Sequence, residues 1–263
     1  MTTAVTTTAR DAATLAGRIL RHWARRPVSV LLGLLFPVMV LLMFGYLFGG
    51  AMAVPDGHYL DFLIPGVLAM TMLFGLEGVV VAVTADTARG VTERIRAMPV
   101  STASVLLGRS AADLLNAVAG IAVVAATGLL VGWTADRGPL PALAAVGLLL
   151  WLRFAFTWAG TYLGLLLKTP ESAVAVQVLV WPVGFLSSAF VSPDTMPGWL
   201  DVVATWNPLS ATAAAIRELF GNPDWDAGGW ADRHAVTLAL VWPAVLTAVF
   251  LPLAARRYRA LGR

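Results

Sequence analysis

Six long apolar stretches, separated by charged or turn-forming segments, constrain the fold of this 263-residue chain more than any other feature. A helix that crosses the hydrocarbon core of a bilayer needs about 20 mostly apolar residues, and each stretch has roughly that length. None shows the alternation of apolar and polar residues that a membrane β-strand requires. The six predicted spans are Val28–Phe48, Phe62–Ala85, Leu114–Thr134, Leu140–Leu167, Ala173–Val191 and Ala235–Ala255.

The composition agrees with a membrane protein and excludes several kinds of site. Hydrophobic residues make up 59% of the chain and charged residues 13%, against roughly 45–50% and about 25% in soluble domains. A single aqueous core of this size cannot hide so much apolar surface. The absence of cysteine excludes disulfides, thiolate metal sites, iron–sulfur clusters and a cysteine nucleophile. We therefore predict an all-α polytopic membrane protein.

The positive charges predict the orientation of the spans. Fourteen of the lysines and arginines fall on the side that holds both termini, whereas Arg137, Arg217 and Arg233 fall on the other side. By the positive-inside rule, the first side is cytoplasmic. Both termini are therefore expected in the cytoplasm, as an even number of spans also requires. Because the charges sit at the ends of apolar runs, they indicate membrane orientation and not nucleic-acid binding.

The segment before the first span has the pattern of an amphipathic helix. Over residues 9–26, one arc carries apolar residues that include Leu15, Leu20 and Trp23, and the opposite arc carries arginines. This pattern is typical of a helix that lies in the membrane interface, and the alternative is a short soluble cap helix. Residues 1–8, which are rich in Thr and Ala, are expected to be disordered.

The longest cytoplasmic connection, residues 86–101, contains a short charged segment. A helix is predicted over Glu93–Met98 and is stopped by Pro99, while Ser101 or Thr102 can cap the helix that follows. Such a helix at the mouth of a bundle suits docking to a soluble partner. The alternative is a solvated positive loop that only sets the topology.

The external segment 193–220 is interrupted more than once. Pro193 and Pro197 break the chain first, and Asn207-Pro208 separates two short apolar helical patterns. A re-entrant hairpin fits this pattern, provided that protein or water satisfies the broken backbone. A pair of helices lying on the membrane surface fits it equally well.

Two ionisable residues lie well inside the predicted spans, Glu77 and Arg153. Charges within a membrane are costly and usually face a partner, a cavity or water. The sequence leaves three arrangements open: the two residues pair, Glu77 faces a substrate, or each meets water. Together with Phe74 and Met70, they are the candidate residues of a substrate path.

Three Gly-x-x-x-Gly pairs occur in the apolar stretches. They are Gly45/Gly49, Gly128/Gly132 and Gly160/Gly164. Small residues at this spacing let helices approach closely. We interpret the pairs as helix contacts within the chain and not as a specific dimer interface.

Motifs for catalysis are missing from the sequence. No Gly-x-Ser-x-Gly nucleophile motif is present, and the single lysine, Lys168, lacks the preceding glycine of a phosphate-binding P-loop. The three histidines lie far apart and form no metal-ligand pattern. We expect no catalytic residues, metal or cofactor in this chain. If ATP powers the protein, another chain must bind ATP and its magnesium ion.

Several short runs together resemble one transporter family. They are Tyr59–Gly66, Asp86–Gly90, Glu93–Pro99 and Leu107–Asp113, with Phe36-Pro37, Phe48–Gly50, Lys168–Glu171, Asn207-Pro208 and Arg217–Leu219 in the same order. This pattern resembles the type-2 ABC transporter permeases, and within them the daunorubicin-resistance permease group. The resemblance covers nearly the whole chain, and its specificity lies in the order and spacing of the runs.

The resemblance implies a fold and a set of partners. It implies six transmembrane helices, an N-terminal interfacial helix, a coupling helix over residues 86–101 and re-entrant helices over residues 193–220. Two copies of an ATPase subunit would dock on the coupling helices, and two permeases, expected as a homodimer, would form the path between them. The implied docking residues are Arg89, Glu93, Arg94, Ile95, Arg96, Met98 and Pro99; those of the hairpin are Pro193, Pro197, Asn207, Pro208 and Arg217. An acid at Glu77 departs from the pattern of the group.

The function implied is the membrane part of an ATP-driven exporter of hydrophobic or amphiphilic small molecules, including drugs and antibiotics, in a bacterial cell membrane. A permease of the same architecture that exports a lipid, glycolipid or peptide is the nearest alternative. A secondary transporter or a membrane enzyme is the alternative from another class. A secondary transporter should show paired interrupted spans in both halves, and we find one interruption, near Asn207.

Overall fold

The structure is a computed structural model that describes residues 2–25, 27–49, 58–98, 101–167, 169–224 and 229–261, and the regular elements within these ranges are helical. A π-helical turn, Phe44–Phe48, extends the second helix, and a 3-10 turn, Pro193–Thr195, precedes the eighth. The α-helices of the described ranges are α1 (Thr2–Ala24), α2 (Pro27–Met43), α3 (Tyr59–Ala88), α4 (Val91–Arg96), α5 (Thr102–Leu130), α6 (Pro139–Leu166), α7 (Pro170–Phe185), α8 (Gly198–Thr205), α9 (Pro208–Phe220), α10 (Trp230–Arg233) and α11 (Ala235–Ala260).

Five helical segments of the described chain are long and apolar enough to cross a membrane. They are Val30–Leu47, which joins α2 to the π-helical turn, and the helices α3, α5, α6 and α11. These segments correspond to the predicted spans one, two, three, four and six. The prediction of an all-α polytopic membrane protein is therefore confirmed.

Two predicted spans differ from the observed helices at their ends. The third was predicted to begin at Leu114, whereas α5 begins at Thr102. The fifth was predicted to end at Val191, whereas α7 ends at Phe185 and has only 16 residues. At 1.5 Å per residue, α7 is about 24 Å long, which is shorter than the hydrocarbon core of roughly 30 Å. The fifth predicted span therefore stays a prediction.

Helix α3 forms the centre of the bundle and contacts α5, α6, α7 and α9. Its approach to α6 depends on two glycines: a Cβ atom on Gly160 would lie 2.9 Å from the Leu76 carbonyl oxygen, and one on Gly164 would lie 2.7 Å from Val83 Cβ. Lipid tails are as apolar as leucine, so helices in a membrane associate through such close contact. The interpretation of this glycine pair as a contact within the chain is confirmed.

Helix α1 packs against the N-terminal half of α5. At the crossing, a Cβ atom on Gly108 would lie 2.7 Å from the Ala12 carbonyl oxygen and 3.0 Å from Leu15 Cβ. The amphipathic helix predicted over residues 9–26 is thus part of a longer helix that starts at Thr2. Residues 2–8 continue α1 in the structure, and their expected disorder stays a prediction; Met1 lies outside the described residues.

The segment between α7 and α10 places one of its two helices inside the bundle. Helix α9 contacts α3, α6 and α11, and most of its side chains are buried. Helix α8 lies outside, with Trp199 71% exposed. The chain break between them falls at Asn207-Pro208, as predicted, and Pro208 occupies the first turn of α9, where its missing N–H costs no helical hydrogen bond. The depth of this hairpin in a membrane stays a prediction.

Candidate functional site

The predicted docking helix is present as α4, at the end of a sharp turn out of α3. Gly90 has a φ angle of +66°, in the left-handed region that glycine tolerates best. Its N–H donates to the Thr87 carbonyl oxygen at 3.1 Å, and the chain then re-enters a helix of six residues. Thr92, in the first turn of α4, is buried, and α4 contacts α3. One side of α4 is therefore packed against the bundle.

An ion pair joins the two helices that flank α4. The Arg109 guanidinium on α5 donates to the Asp86 carboxylate on α3, and both side chains are only partly exposed. Ser101 caps α5 by accepting a hydrogen bond from the Ser104 N–H at 3.1 Å, which confirms one of the two predicted caps. The two ends of the connection are therefore held together, and α4 projects from a fixed base.

Most of the described docking candidates are accessible. Arg89, Glu93, Arg94 and Met98 are exposed, and Ile95 is half-buried. Arg96 is the last residue of α4, while Pro99 and Lys168 lie outside the described residues. The surface of α4 thus offers both signs of charge with a methionine at its edge.

A groove of about 590 Å³ lies between α1 and Met98, which is two residues after the end of α4. Met98 lines it from one side, and the basic face of α1 lines it from the other with Arg18, Arg21 and Arg25. The groove and α4 lie on the side of the bundle that the positive charges predict to be cytoplasmic.

Arg153 pairs with Asp113 in the middle of the bundle and not with Glu77. Its Nε donates to Asp113 Oδ2 at 2.7 Å, and its Nη2 donates to Oδ1. Thr157 Oγ1 donates to Asp113 Oδ2 at 2.5 Å, and Nη1 of Arg153 donates to the Met72 carbonyl oxygen at 3.2 Å. The Glu77–Arg153 pairing left open by the sequence is therefore wrong. A bidentate pair with a planar guanidinium is the stronger arrangement.

Asp113 is not among the residues predicted from the sequence, because it stands just before the third predicted span. Asp113 lies eleven residues after the first residue of α5, Thr102, which is about 17 Å along the helix. The Ser-Ala-Ala-Asp run at Ser110–Asp113 reads as the polar end of a span, although small residues equally continue a helix. A buried arginine on a neighbouring span was the available signal, since such a cation needs an acid.

Glu77 lies on a different face of α3, towards α7. One carboxylate oxygen accepts a hydrogen bond from Gln177 Nε2 at 3.4 Å. The other is buried and has no hydrogen-bond partner within the described part of the chain. Of the residues named with it, Phe74 lies one turn away beside aromatic rings of α2 and α7. Met70, two turns before Glu77 on the same side of α3, is buried against Gly184 of α7.

Arg217 holds the external hairpin to the rest of the bundle. Its guanidinium is fully buried and donates to the carbonyl oxygens of Phe62, Ser188 and Ala189 at 3.1, 2.9 and 3.3 Å. It also donates to Asp224 Oδ1 at 3.0 Å and stacks over the Phe62 ring at 3.6 Å. One side chain therefore joins α9 to α3, to the end of α7 and to the loop after α9.

The other hairpin residues shape the turns around Arg217. Asn207 Oδ1 accepts from the Leu209 N–H at 2.9 Å and caps α9, while Nδ2 donates to the carbonyl oxygens of Val183 and Leu186. Pro193 starts the 3-10 turn, and Pro197 precedes α8. Over the described ranges, no group of three or more His, Asp or Glu residues is arranged to hold a metal ion.

Comparison with known proteins gives one family and several relatives. The model of the ABC-2 type transporter family matches residues 11–220. The daunorubicin resistance ABC transporter permease protein DrrB1 of Streptomyces coeruleorubidus is 36% identical over 89% of this chain and 80% of that protein. The putative transport permease ycf38 of Cyanophora paradoxa is 29% identical over 80% of this chain and 74% of its own length. The probable doxorubicin resistance ABC transporter permease protein DrrC of Mycobacterium tuberculosis is 24% identical over 76% of this chain and 73% of its own length.

Proposed function

This chain belongs to the ABC-2 type transporter family, and we propose that it is the membrane subunit of an ATP-driven exporter of hydrophobic or amphiphilic small molecules. As a permease of this family it works with an ATP-binding subunit. Export of drugs or antibiotics in particular is our proposal. It is supported by the resistance functions in the names of two relatives and by the apolar faces of the membrane helices.

The projecting helix α4 is the observation that carries the proposal. ATP binding and hydrolysis on a soluble subunit can move membrane helices only through a contact that transmits force. Helix α4 is short, exposed on its outer side and clamped at its base by the Asp86–Arg109 pair. A displacement of α4 would therefore be transmitted to α3 and α5 together.

Two copies of the chain are proposed to form the transport path between them. Helix α2 has the least buried span of the described chain, and Val28, Leu31 and Leu32 are each more than half exposed. Helix α7 likewise exposes Val178 and Leu179. Apolar faces of this size must meet lipid or a second copy, and two ATPase subunits would serve such a homodimer.

A double charge reversal on α4 tests the docking proposal. Arg94→Glu/Arg96→Glu should abolish co-purification of the ATPase subunit encoded with this permease, because both contacts become repulsive, while insertion into the membrane stays normal. Arg256→Glu/Arg263→Glu in the tail makes the same charge change on the same predicted side and should leave co-purification intact. Full export by the α4 variant would contradict the proposal.

The proposed location is a bacterial cell membrane with both termini in the cytoplasm. Because the chain contains no cysteine, a single introduced thiol reports its own side. Cysteine at Thr3 should be protected from a membrane-impermeant thiol reagent in intact cells, and cysteine at Asp136 should be labelled. The opposite pattern would invert the topology.

Stimulation of the ATPase separates the proposed substrates from the alternatives. Hydrophobic amines or neutral polycyclic compounds should stimulate ATP hydrolysis by the reconstituted complex. Stimulation by a lipid, glycolipid or peptide instead would favour the alternative substrate class within the same family.

A further inference from the structure

Glu77 is an acid without a cation in the described bundle. Its carboxylate is half-buried, and only Gln177, a neutral amide, donates a hydrogen bond to it among the contacts of the described residues. The buried cation Arg153 forms an ion pair with Asp113 and not with Glu77. An ionised side chain at this depth is expensive unless something compensates its charge. The site therefore lacks a positive group.

Three aromatic rings from three helices form a cluster where α3 meets α7. Phe74 precedes Glu77 by three residues on α3, and Trp181 follows Gln177 by four residues on α7, so each ring shares a helix face with one of the two polar residues. Phe36 of α2 completes the group. The ring centroids are 5.2 Å apart for Phe36–Phe74, 5.5 Å for Phe36–Trp181 and 5.2 Å for Phe74–Trp181.

The aromatic surface continues along α7. Trp181 stacks on Phe185 with centroids 5.8 Å apart, and Phe185 lies 5.4 Å from Phe190. Tryptophan is the ring that attracts cations most strongly through its face, with phenylalanine weaker. Acid and rings together provide an ionic contact for a positive charge and flat apolar surfaces for the rest of the same molecule.

This face of the protomer is open at the side. A Cβ atom on Gly78, the residue after Glu77, would meet nothing within 4 Å. Val81, one turn further along α3, is 41% exposed, and Phe36 is 39% exposed. The surface beside the site is therefore partly open to the membrane.

If the same helices of a second copy packed against this face, they would not supply the missing positive charge. The sequences of α2, α3 and α7 contain no lysine or arginine. A ligand can supply the cation that these helices lack. Resting on the proposed export function, we propose that Glu77, with Phe36, Phe74 and Trp181, forms a binding site for aromatic organic cations.

Binding to the purified permease tests the site without the ATPase subunit. The probes are radiolabelled tetraphenylphosphonium, a permanent cation, and triphenylphosphine oxide, which is uncharged and of similar shape. The permease is held in nanodiscs of phosphatidylcholine, whose surface has no net charge. Glu77→Gln should weaken tetraphenylphosphonium binding at least tenfold and change binding of the neutral compound less than twofold. Glu77→Asp keeps the charge and should retain most of the affinity.

Glu171→Gln is the matched control. This residue is the acid at the first turn of α7 and is exposed, so its loss changes the net charge equally without touching the aromatic group. It should leave both affinities unchanged. Trp181→Leu should weaken both probes, because it removes a flat surface and no charge. Equal losses in Glu77→Gln and Glu171→Gln, or unchanged cation binding in Glu77→Gln, would overturn the proposal.

A measurement on the unaltered chain avoids any effect of the substitutions on folding. Dicyclohexylcarbodiimide reacts with carboxyl groups inside membranes, and mass spectrometry locates the adduct. Saturating tetraphenylphosphonium should slow modification of Glu77 by at least tenfold. Unchanged modification would count against the site.

Export by the reconstituted complex separates this site from the proposed function. Glu77→Gln should lower export of the cation at least tenfold more than export of the neutral compound. If the substitution changed export of the two compounds equally, the proposed cation site would be contradicted and the proposed export function would still stand. If the unaltered complex exported neither compound, the proposed export function would be contradicted, whatever the binding data show.

Discussion

Arg153 and Arg217 are both buried in the described bundle, and their positive charges are compensated in different ways. Arg153 lies among α3, α5 and α6 and is neutralised by one carboxylate, Asp113. Arg217 is fully buried at the external hairpin and has three carbonyl oxygens, a ring face and one partly exposed acid, Asp224. One site is an ion pair, and the other is mostly a set of dipoles.

The local backbone explains the difference. In the middle of long helices, the carbonyl oxygens already accept the N–H groups four residues later, so a guanidinium there finds few free acceptors and needs a carboxylate. Ser188 and Ala189 follow the end of α7, outside a helix, and their carbonyl oxygens are free to accept. Where a helix ends, free carbonyl oxygens can therefore take over part of the role that a carboxylate has in the middle of the bundle.

The largest effect is expected when the ion pair loses its acid. Asp113→Asn leaves Arg153 buried without a compensating charge and should lower the free energy of unfolding by about 3–5 kcal/mol. Asp113→Asn/Arg153→Gln removes both charges and should recover much of that loss. Chemical unfolding in detergent micelles measures both values. A double variant as unstable as the single one would show that the pair is not the reason.

The next effect concerns the dipole site. Arg217→Lys keeps the charge but cannot reach three carbonyl oxygens and Asp224 at once, because an ammonium group is compact and lacks the planar fork. Each buried carbonyl left without a donor costs about 1–3 kcal/mol, so we expect a loss of about 2 kcal/mol. If the charge alone mattered, the lysine variant would unfold like the unaltered chain.

The glycine beside the ion pair gives a smaller and more specific effect. A Cβ atom on Gly75 would lie 0.6 Å from Arg153 Nη1, so Gly75→Ala must displace the guanidinium, at a cost of about 1–3 kcal/mol. The cost should vanish in the Arg153→Gln background. Gly78→Ala, one turn away on the same helix, faces open space and is the control; it should cause no loss and can stabilise the helix by about 0.5–1 kcal/mol.

The sequence predicts the membrane helices well and the contacts between them poorly. Apolar length alone locates five spans, because a bilayer imposes that length on each helix separately. The capping role of Ser101 and the break at Asn207-Pro208 are also local properties of the chain, and both are found in the structure.

The partners of the buried charges depend on which helices are neighbours, and no local pattern contains that information. Arg153 and Asp113 are 40 residues apart, and the choice of Asp113 over Glu77 follows from the faces that α3, α5 and α6 turn towards each other. Three of the four hydrogen-bond partners of Arg217, the carbonyl oxygens of Phe62, Ser188 and Ala189, are likewise distant in sequence. The helix ends were the other source of error, since the membrane sets a minimum length and not a boundary.

The smallest effect is expected for the acid of the dipole site. Asp224 is 31% exposed beside Arg217, so water screens its charge, and exposed ion pairs contribute about 0–1 kcal/mol. Asp224→Asn should therefore lower the free energy of unfolding by less than about 1 kcal/mol, whereas the same Asp-to-Asn change at position 113 costs several times more. Unfolding of the two asparagine variants under one set of conditions makes the comparison direct. Equal losses would mean that Arg217 depends on its acid as Arg153 does, and that the carbonyl oxygens around it do not compensate its charge.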